Sequence, residues 1–191
     1  MKVPLRYQIT EFDCGAVALV NCLSFLFDRE EIPVELLKKI HMHTLDCYCS
    51  EGNVGRGGTS RDAVKYISRR IIEFANRKDF GIECEYLIGD QVTFEKIKDW
   101  VQSGGCALFR CWHIDVEHYV TITKIDDDFV YLFDPYYLER DYYDKNKHIE
   151  IIPDQPFTAN RKVCVDYFKN KKGDLSLNSI KLRETLLMKR A

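Results

Sequence analysis

No stretch of this 191-residue sequence approaches the ~20 consecutive apolar residues of a membrane-spanning helix, which excludes a helical span. Charge of one sign is also lacking. The 28 Lys and Arg residues nearly balance 30 Asp and Glu, leaving a net charge of -2. A chain without a basic field is not expected to bind nucleic acid. The opening Met1-Lys2-Val3-Pro4 has no apolar core of a secretion signal, so a cytoplasmic protein is expected. Internal repeats and low-complexity linkers are missing too, which argues against several domains. What is present is ample core material, 46% apolar and 13% aromatic, and eight cysteines. In a reducing compartment these stay thiols. Cys22, Cys84, Cys106, Cys111 and Cys164 sit in apolar or alternating stretches and read as small core residues.

The hydrophobic period changes partway along the chain. Residues 15–27 follow a helical period through Ala16, Leu19, Val20, Leu23 and Phe27. A short amphipathic helix is expected over 33–40, with Pro33 at its first position. A Gly- and Cys-rich loop follows over 44–58. Thr59 or Ser60 then caps a longer helix with Val64, Ile67, Ile71, Phe74 and Ala75 as its apolar stripe. Ile82–Ile88 alternates as a strand, and Thr93 caps a helix to about Gln102 that ends at Gly104-Gly105. Beyond this the period falls to two. Residues 107–111, 119–125 and 129–133 read as antiparallel strands, with possible further strands at 149–152 and 162–168. Residues 1–168 are expected as one domain, and 169–191 as a charged tail ending in a weak helix through Ile180, Leu182, Leu186 and Leu187. Helices first and sheet second is an α+β pattern.

The chemistry is concentrated at a few positions. Cys14 opens the first helix, where free amides and the helix dipole favour a thiolate. Gln8 lies six residues upstream and can return to donate an amide N–H to an oxyanion. A cysteine nucleophile needs a base, and the base needs an orienting group. His118 stands at the start of one strand and Asp134 at the end of the next. With Asp126–Asp128 as a three-residue loop, Ile125 would pair with Phe129 and even positions would oppose even positions. That parity puts His118 and Asp134 on one face, diagonally adjacent. Cys14, His118, Asp134 and Gln8 are therefore the expected catalytic residues. Such a Cys14–His118 pair should let iodoacetamide alkylate Cys14 well below the pH of ~8.5 at which an ordinary thiol ionises.

The segments Gln8-Ile-Thr-Glu-Phe-Asp13-Cys14-Gly15, Gly57-Gly58-Thr59-Ser60, His118-Tyr119-Val120 and Asp134-Pro135 together resemble the papain-like cysteine peptidases that remove double-glycine leader peptides from bacteriocin precursors. Order and spacing agree over about residues 3–137. The resemblance implies a papain-like fold in a stand-alone form, without the transporter to which the family is usually fused. It implies Cys14 as nucleophile, His118 as base and acid, Asp134 as orienter, and Gln8 with the Cys14 amide as oxyanion donors. A peptide or small protein, cut after a small residue such as Gly, would be the substrate. Gly58, Thr59, Trp112 and Tyr119 are expected to line its cleft. The same machinery could instead pass the acyl group to another acceptor, as an acyltransferase or amidase, or survive only as an inactive peptide-binding module.

Other features carry less. His41, His43, Cys47 and Cys49 have the wrong spacing for common zinc sites, so no metal or cofactor is expected. His113 is expected beside the cleft rather than as the base, because it lacks the paired aspartate. Asp13 is expected to cap the first helix. Asp126–Asp128 reads as a solvated turn, not a calcium loop. Tyr136-Tyr137 and Tyr142-Tyr143 form an aromatic, acidic patch, read as packing of the C-terminal segment over the sheet.

Overall fold

In a computed structural model, which describes residues 1–78, 80–153 and 155–191, the chain is α+β. Three helices come first: α1 (Cys14–Leu26), α2 (Val34–His43) and α3 (Arg61–Lys78). Then follow β1 (Ile82–Ile88), α4 (Phe94–Gln102), β2 (Cys106–His113), β3 (Val116–Ile125), β4 (Phe129–Phe133), β5 (Ile149–Ile151), β6 (Arg161–Cys164), the single turn α5 (Val165–Phe168), and β7 (Glu184–Arg190). The strands form one antiparallel sheet in the order β1-β7-β2-β3-β4-β6-β5.

Both faces of this sheet are covered. One apolar cluster packs α1, α2 and α3 against Cys106, Leu108, Tyr119, Leu186 and Met188. The other packs α4 and α5 against Ala107, Phe109, Val120, Ile122 and Leu187. Double coverage explains why β2 reads as a nearly continuous apolar run, since alternate side chains enter two different cores. Helix α1 is buried along most of its length, with Leu19 and Leu23 wholly enclosed. Each such leucine contributes roughly 1.5–3 kcal/mol of hydrophobic stabilisation. The same burial fixes the position of the helix start, and therefore of Cys14.

The expected caps are present at two helices. Ser60 Oγ accepts from Ala63 N at 3.0 Å at the start of α3, and Thr93 Oγ1 accepts from Lys96 N at 3.1 Å at the start of α4. Asp13 does not cap α1. Its carboxylate accepts from Thr10 N at 2.9 Å, Thr10 Oγ1 at 2.7 Å and Ile9 N at 3.2 Å, ordering the loop upstream instead. Among the described residues no side chain caps α1.

Two further expectations are corrected. Residues 184–190 are a strand, not a helix: β7 sits between β1 and β2, pairing Leu186 with Tyr86 and with Leu108. The leucines that mimic a helical stripe are consecutive residues feeding the two cores on either side of the sheet. The β3–β4 turn also differs. Ile125 pairs with Val130, not Phe129, and the Asp126 side chain closes the turn by accepting from Asp128 N at 3.1 Å and Phe129 N at 2.8 Å. That register alone would place His118 and Asp134 on opposite faces. A bulge at Thr123, whose hydroxyl donates to Thr158 O at 2.7 Å, shifts the ladder by one so that Ile122 pairs with Leu132. The two departures cancel, and the even-with-even parity is restored where it matters.

Candidate active site

Cys14 and His118 line one cleft of about 440 Å³, with Gly57 and Gly58 on one wall and the β2–β3 hairpin on the other. Cys14 reaches it from the first residue of α1 and is only 7% exposed. The next residue is tightly constrained: a Cβ on Gly15 would stand 2.7 Å from Thr59 Cβ. The glycine thus lets the 57–60 segment lie directly against the helix start. That segment is anchored from its other side. Thr59 Oγ1 accepts from Leu45 N at 3.2 Å, and Asp46 accepts from Ser60 N at 2.8 Å. Gly58, at φ +80°, adopts a backbone conformation that favours glycine.

The opposite wall is a two-residue hairpin turn. Ile114 and Asp115 both have positive φ, 49° and 60°, the geometry that matches the twist of flanking strands. A β-branched residue in this conformation is strained. Ile114 and Val116 present apolar surface to the cleft.

Asp134 is wholly buried at the end of β4. Its Oδ1 lies 2.7 Å from His118 Nε2 and accepts from Tyr136 N at 2.8 Å. Asn160, immediately before β6, clamps its backbone, accepting from Asp134 N at 2.7 Å and donating Nδ2 to Asp134 O at 2.8 Å. Arg161 Nε stands 4.0 Å from Oδ2. A buried charge of this kind needs such partners. Desolvation opposes ionisation of Asp134, yet the charge and hydrogen bond of His118, helped by the Arg161 charge, prevail and hold its carboxyl at about 2. For His118, burial disfavours the cation, but the Asp134 charge and hydrogen bond and the neighbouring Cys14 outweigh it and raise the imidazole to about 10.

Of the residues expected from sequence, Cys14, His118 and Asp134 therefore come together. Gln8 is tied nearby through its backbone, donating N–H to Pro135 O at 2.8 Å, but its Nε2 donates to Thr10 O at 2.7 Å. Gly58 lines the main cleft. Thr59 and Tyr119 line a smaller cavity that adjoins it at Cys14, and the Tyr119 hydroxyl donates to buried Glu184 at 2.9 Å. Trp112 is not in the cleft with Cys14. Strand alternation sends it to the face opposite His113, against Arg110 and Asn178. His113 does line the cleft, as expected, but it does not lack the aspartate: it is buried, with Nε2 3.7 Å from Asp134 Oδ2. Sequence reasoning also passed over Asn160 and Arg161, and it read Tyr143 as packing rather than as a partner of His113. No local pattern marks them, since β6 and the 136–143 segment reach the site only through the folded sheet. Among the described residues no three His, Cys, Asp or Glu side chains gather as a metal site.

His113 makes folding stability acid-sensitive. Burial, partly opposed by the Asp134 charge, depresses its imidazole from 6.5 to about 4. Below pH 6.5 the unfolded chain binds a proton that the folded chain refuses. The contribution is whole above 6.5 and is lost as pH falls toward 4, by on the order of 3 kcal/mol. His118 has the opposite sign, whole below 6.5 and lost as pH rises toward 10. Asp134 contributes above its ordinary 3.8 and loses that only toward about 2. Urea midpoints at pH 7 and pH 4.5 should therefore fall more steeply in the wild type than in His113→Gln. Parallel curves would contradict this role of His113.

Chemically, the arrangement offers a thiol at an uncapped helix start, a cationic imidazole held by a buried carboxylate, and an open cleft beside both. No protein-family model matches the sequence, and no curated protein does. The fold, however, matches solved structures. A crystal structure described as that of a C39-like peptidase from Bacillus anthracis is similar over 99% of this chain and 95% of that one, with a TM-score of 0.55 at 11% identity. Two further structures are more distant. One is a double glycine motif protease from an AMS/PCAT transporter in complex with the leader peptide, with 16% identity, TM-score 0.44, and coverage of 100% and 93% of the two chains. The other is the peptidase domain of Streptococcus ComA, with 13% identity, TM-score 0.41, and coverage of 70% and 79%. The fold is that of a C39-like, papain-like peptidase, helices packed on an antiparallel sheet.

Proposed function

We propose that this chain is a cysteine peptidase using a Cys14–His118–Asp134 triad. The observation that carries the proposal is the 2.7 Å contact of His118 Nε2 with buried Asp134, in the cleft that Cys14 shares. With Nε2 committed to the carboxylate, Nδ1 is the ring nitrogen left to exchange a proton with Cys14.

The Cys14 thiolate attacks the carbonyl carbon of the scissile peptide bond, and a C–S bond forms. The oxyanion is received by the Cys14 amide N–H at the uncapped start of α1 and by the second amide hydrogen of Gln8. The His118 imidazolium gives its proton to the leaving amine as the C–N bond breaks. The neutral imidazole then takes a proton from water, hydroxide attacks the thioester, and the C–S bond breaks to release a carboxylic acid. Thiolate and imidazolium are restored.

The substrate is a peptide or small protein, cut after a small residue such as Gly. The sequence resemblance to double-glycine peptidases supports this choice. So does the wall of the cleft, where Gly57 and Gly58 leave bare backbone opposite the apolar Ile114 and Val116. The test is acylation of Cys14 itself, read by mass spectrometry after exposure to a peptide pool containing Gly-Gly sequences.

A further inference from the structure

The mechanism uses only one oxygen of Asp134. Oδ1 takes His118 and Tyr136 N, while Oδ2 is buried and has no hydrogen-bond partner. Facing it at 3.7 Å is His113 Nε2, also buried and also without a partner. The other ring nitrogen of His113, Nδ1, lies 3.1 Å from the Tyr143 hydroxyl. The two histidine rings lie 5.0 Å apart, tilted by 32°.

These contacts select one tautomer. Were Nδ1 protonated, the Nε2 lone pair would point at a carboxylate lone pair across a buried gap. With the Tyr143 hydroxyl donating to Nδ1, the hydrogen sits on Nε2 and faces Oδ2. At 3.7 Å this is a charge–dipole contact, one that a small ring rotation converts to a hydrogen bond. Among the described residues His113 stands nearest to Oδ2, and the one other unpartnered donor facing it belongs to Arg161. Arg161 Nε is at 4.0 Å, and its two Nη groups are occupied by Asn160 O at 2.9 Å and Tyr136 O at 3.2 Å.

We propose that His113 is a positioning residue for the triad: neutral, oriented by Tyr143, and holding Asp134 Oδ2 so that Oδ1 stays on His118. The inference rests on the peptidase reading above. It extends the triad to a chain of five side chains, Cys14, His118, Asp134, His113 and Tyr143. The neutral state of His113 agrees with its burial and with its depressed basicity. Other ionisable groups facing this chain are Arg161 from β6, Cys111 from β2, Tyr136 after β4, and Asp174 from the segment before β7. Cys111 and Tyr143 are pushed up by burial, and Asp174 is pushed up as well, again chiefly by burial. Burial thus carries Cys111 and Tyr143 away from the range in which His118 works with Cys14, whereas Asp174 moves toward that range and is common to every variant compared.

The experiment is the pH profile of Cys14 alkylation by iodoacetamide, localised by peptide mapping, in wild type, His113→Leu, His113→Gln and Tyr143→Phe. Near-ultraviolet circular dichroism verifies the fold of each. Wild type should be alkylated at Cys14 in the acid-to-neutral range. His113→Leu should move the midpoint about one pH unit toward an ordinary thiol and slow labelling at pH 6.5 about tenfold. His113→Gln, whose amide can donate to Oδ2, should keep the wild-type midpoint, and Tyr143→Phe should fall between. A merely structural His113 would lower stability in both His113 variants without moving either midpoint. A folded His113→Leu with the wild-type profile overturns the inference, as does a His113→Gln as impaired as His113→Leu. Should His113→Leu not fold, an unshifted Tyr143→Phe profile overturns it in the same way. If wild type itself reacts only as an ordinary thiol, the peptidase reading fails rather than the role of His113.

Discussion

Cys14→Ala is expected to lower peptide turnover on the order of 10⁵- to 10⁶-fold while leaving the fold in place. The magnitude follows from losing the only atom that forms a bond to substrate, after which His118 and Asp134 have nothing to activate. The fold should survive because only one sulfur atom is removed, from a buried side chain that borders an open cleft, so the cavity left behind is small. Gly15 still seats against Thr59, and the buried length of α1 is untouched. Turnover by matched concentrations of wild type and variant, with melting temperatures alongside, checks this. A folded Cys14→Ala that kept full turnover would rule Cys14 out as the nucleophile.

Asp134→Asn should cost about 10²- to 10⁴-fold in kcat, with little change in KM. Asparagine preserves the shape, and its oxygen can still accept from Tyr136 N. The negative charge disappears, however, and that charge does most to keep His118 cationic against burial. The imidazole should then titrate far below about 10, which NMR of the ring protons would show directly. The new amide nitrogen would also replace Oδ2, where it faces His113 Nε2 and Arg161. Donor would meet donor, so the side chain would be pulled away from His118. A variant with less than a threefold loss, or with His118 still titrating near its wild-type value, would contradict this role.

How far the sequence discloses this site depends on what kind of signal each residue has. Cys14 is legible because a helix start has its own local chemistry, and the apolar run behind it predicts where the helix lies. His118 and Asp134 are legible because strand alternation fixes faces. Even so, the inference from parity reaches the right pairing through a turn that is one residue different and a bulge at Thr123 that compensates. Neither has a local signature strong enough to read: the turn is closed by the Asp126 side chain, and the bulge is held by Thr158 from a distant loop.

The approach of His113 to Asp134 is missed for a related reason. The Ile114-Asp115 turn contains no glycine or asparagine, so the hairpin that carries His113 back toward Asp134 is not announced. Trp112, its neighbour, is then sent to the wrong face. Leu186 and Leu187 show the converse failure. A strand buried on both sides loses its alternation and imitates a helix, and only pairing with β1 and β2 reveals what it is.

The central claim is that Cys14 becomes covalently acylated by a peptide and that the acyl group leaves as a free acid. Mass spectrometry of the protein, quenched during turnover of a Gly-Gly peptide pool and mapped by proteolysis, tests it most directly. The expected result is a thioester mass on the Cys14 peptide, absent in Cys14→Ala, with a new peptide carboxylate in solution. An adduct on another residue, or cleavage with no adduct and no dependence on Cys14, would contradict it.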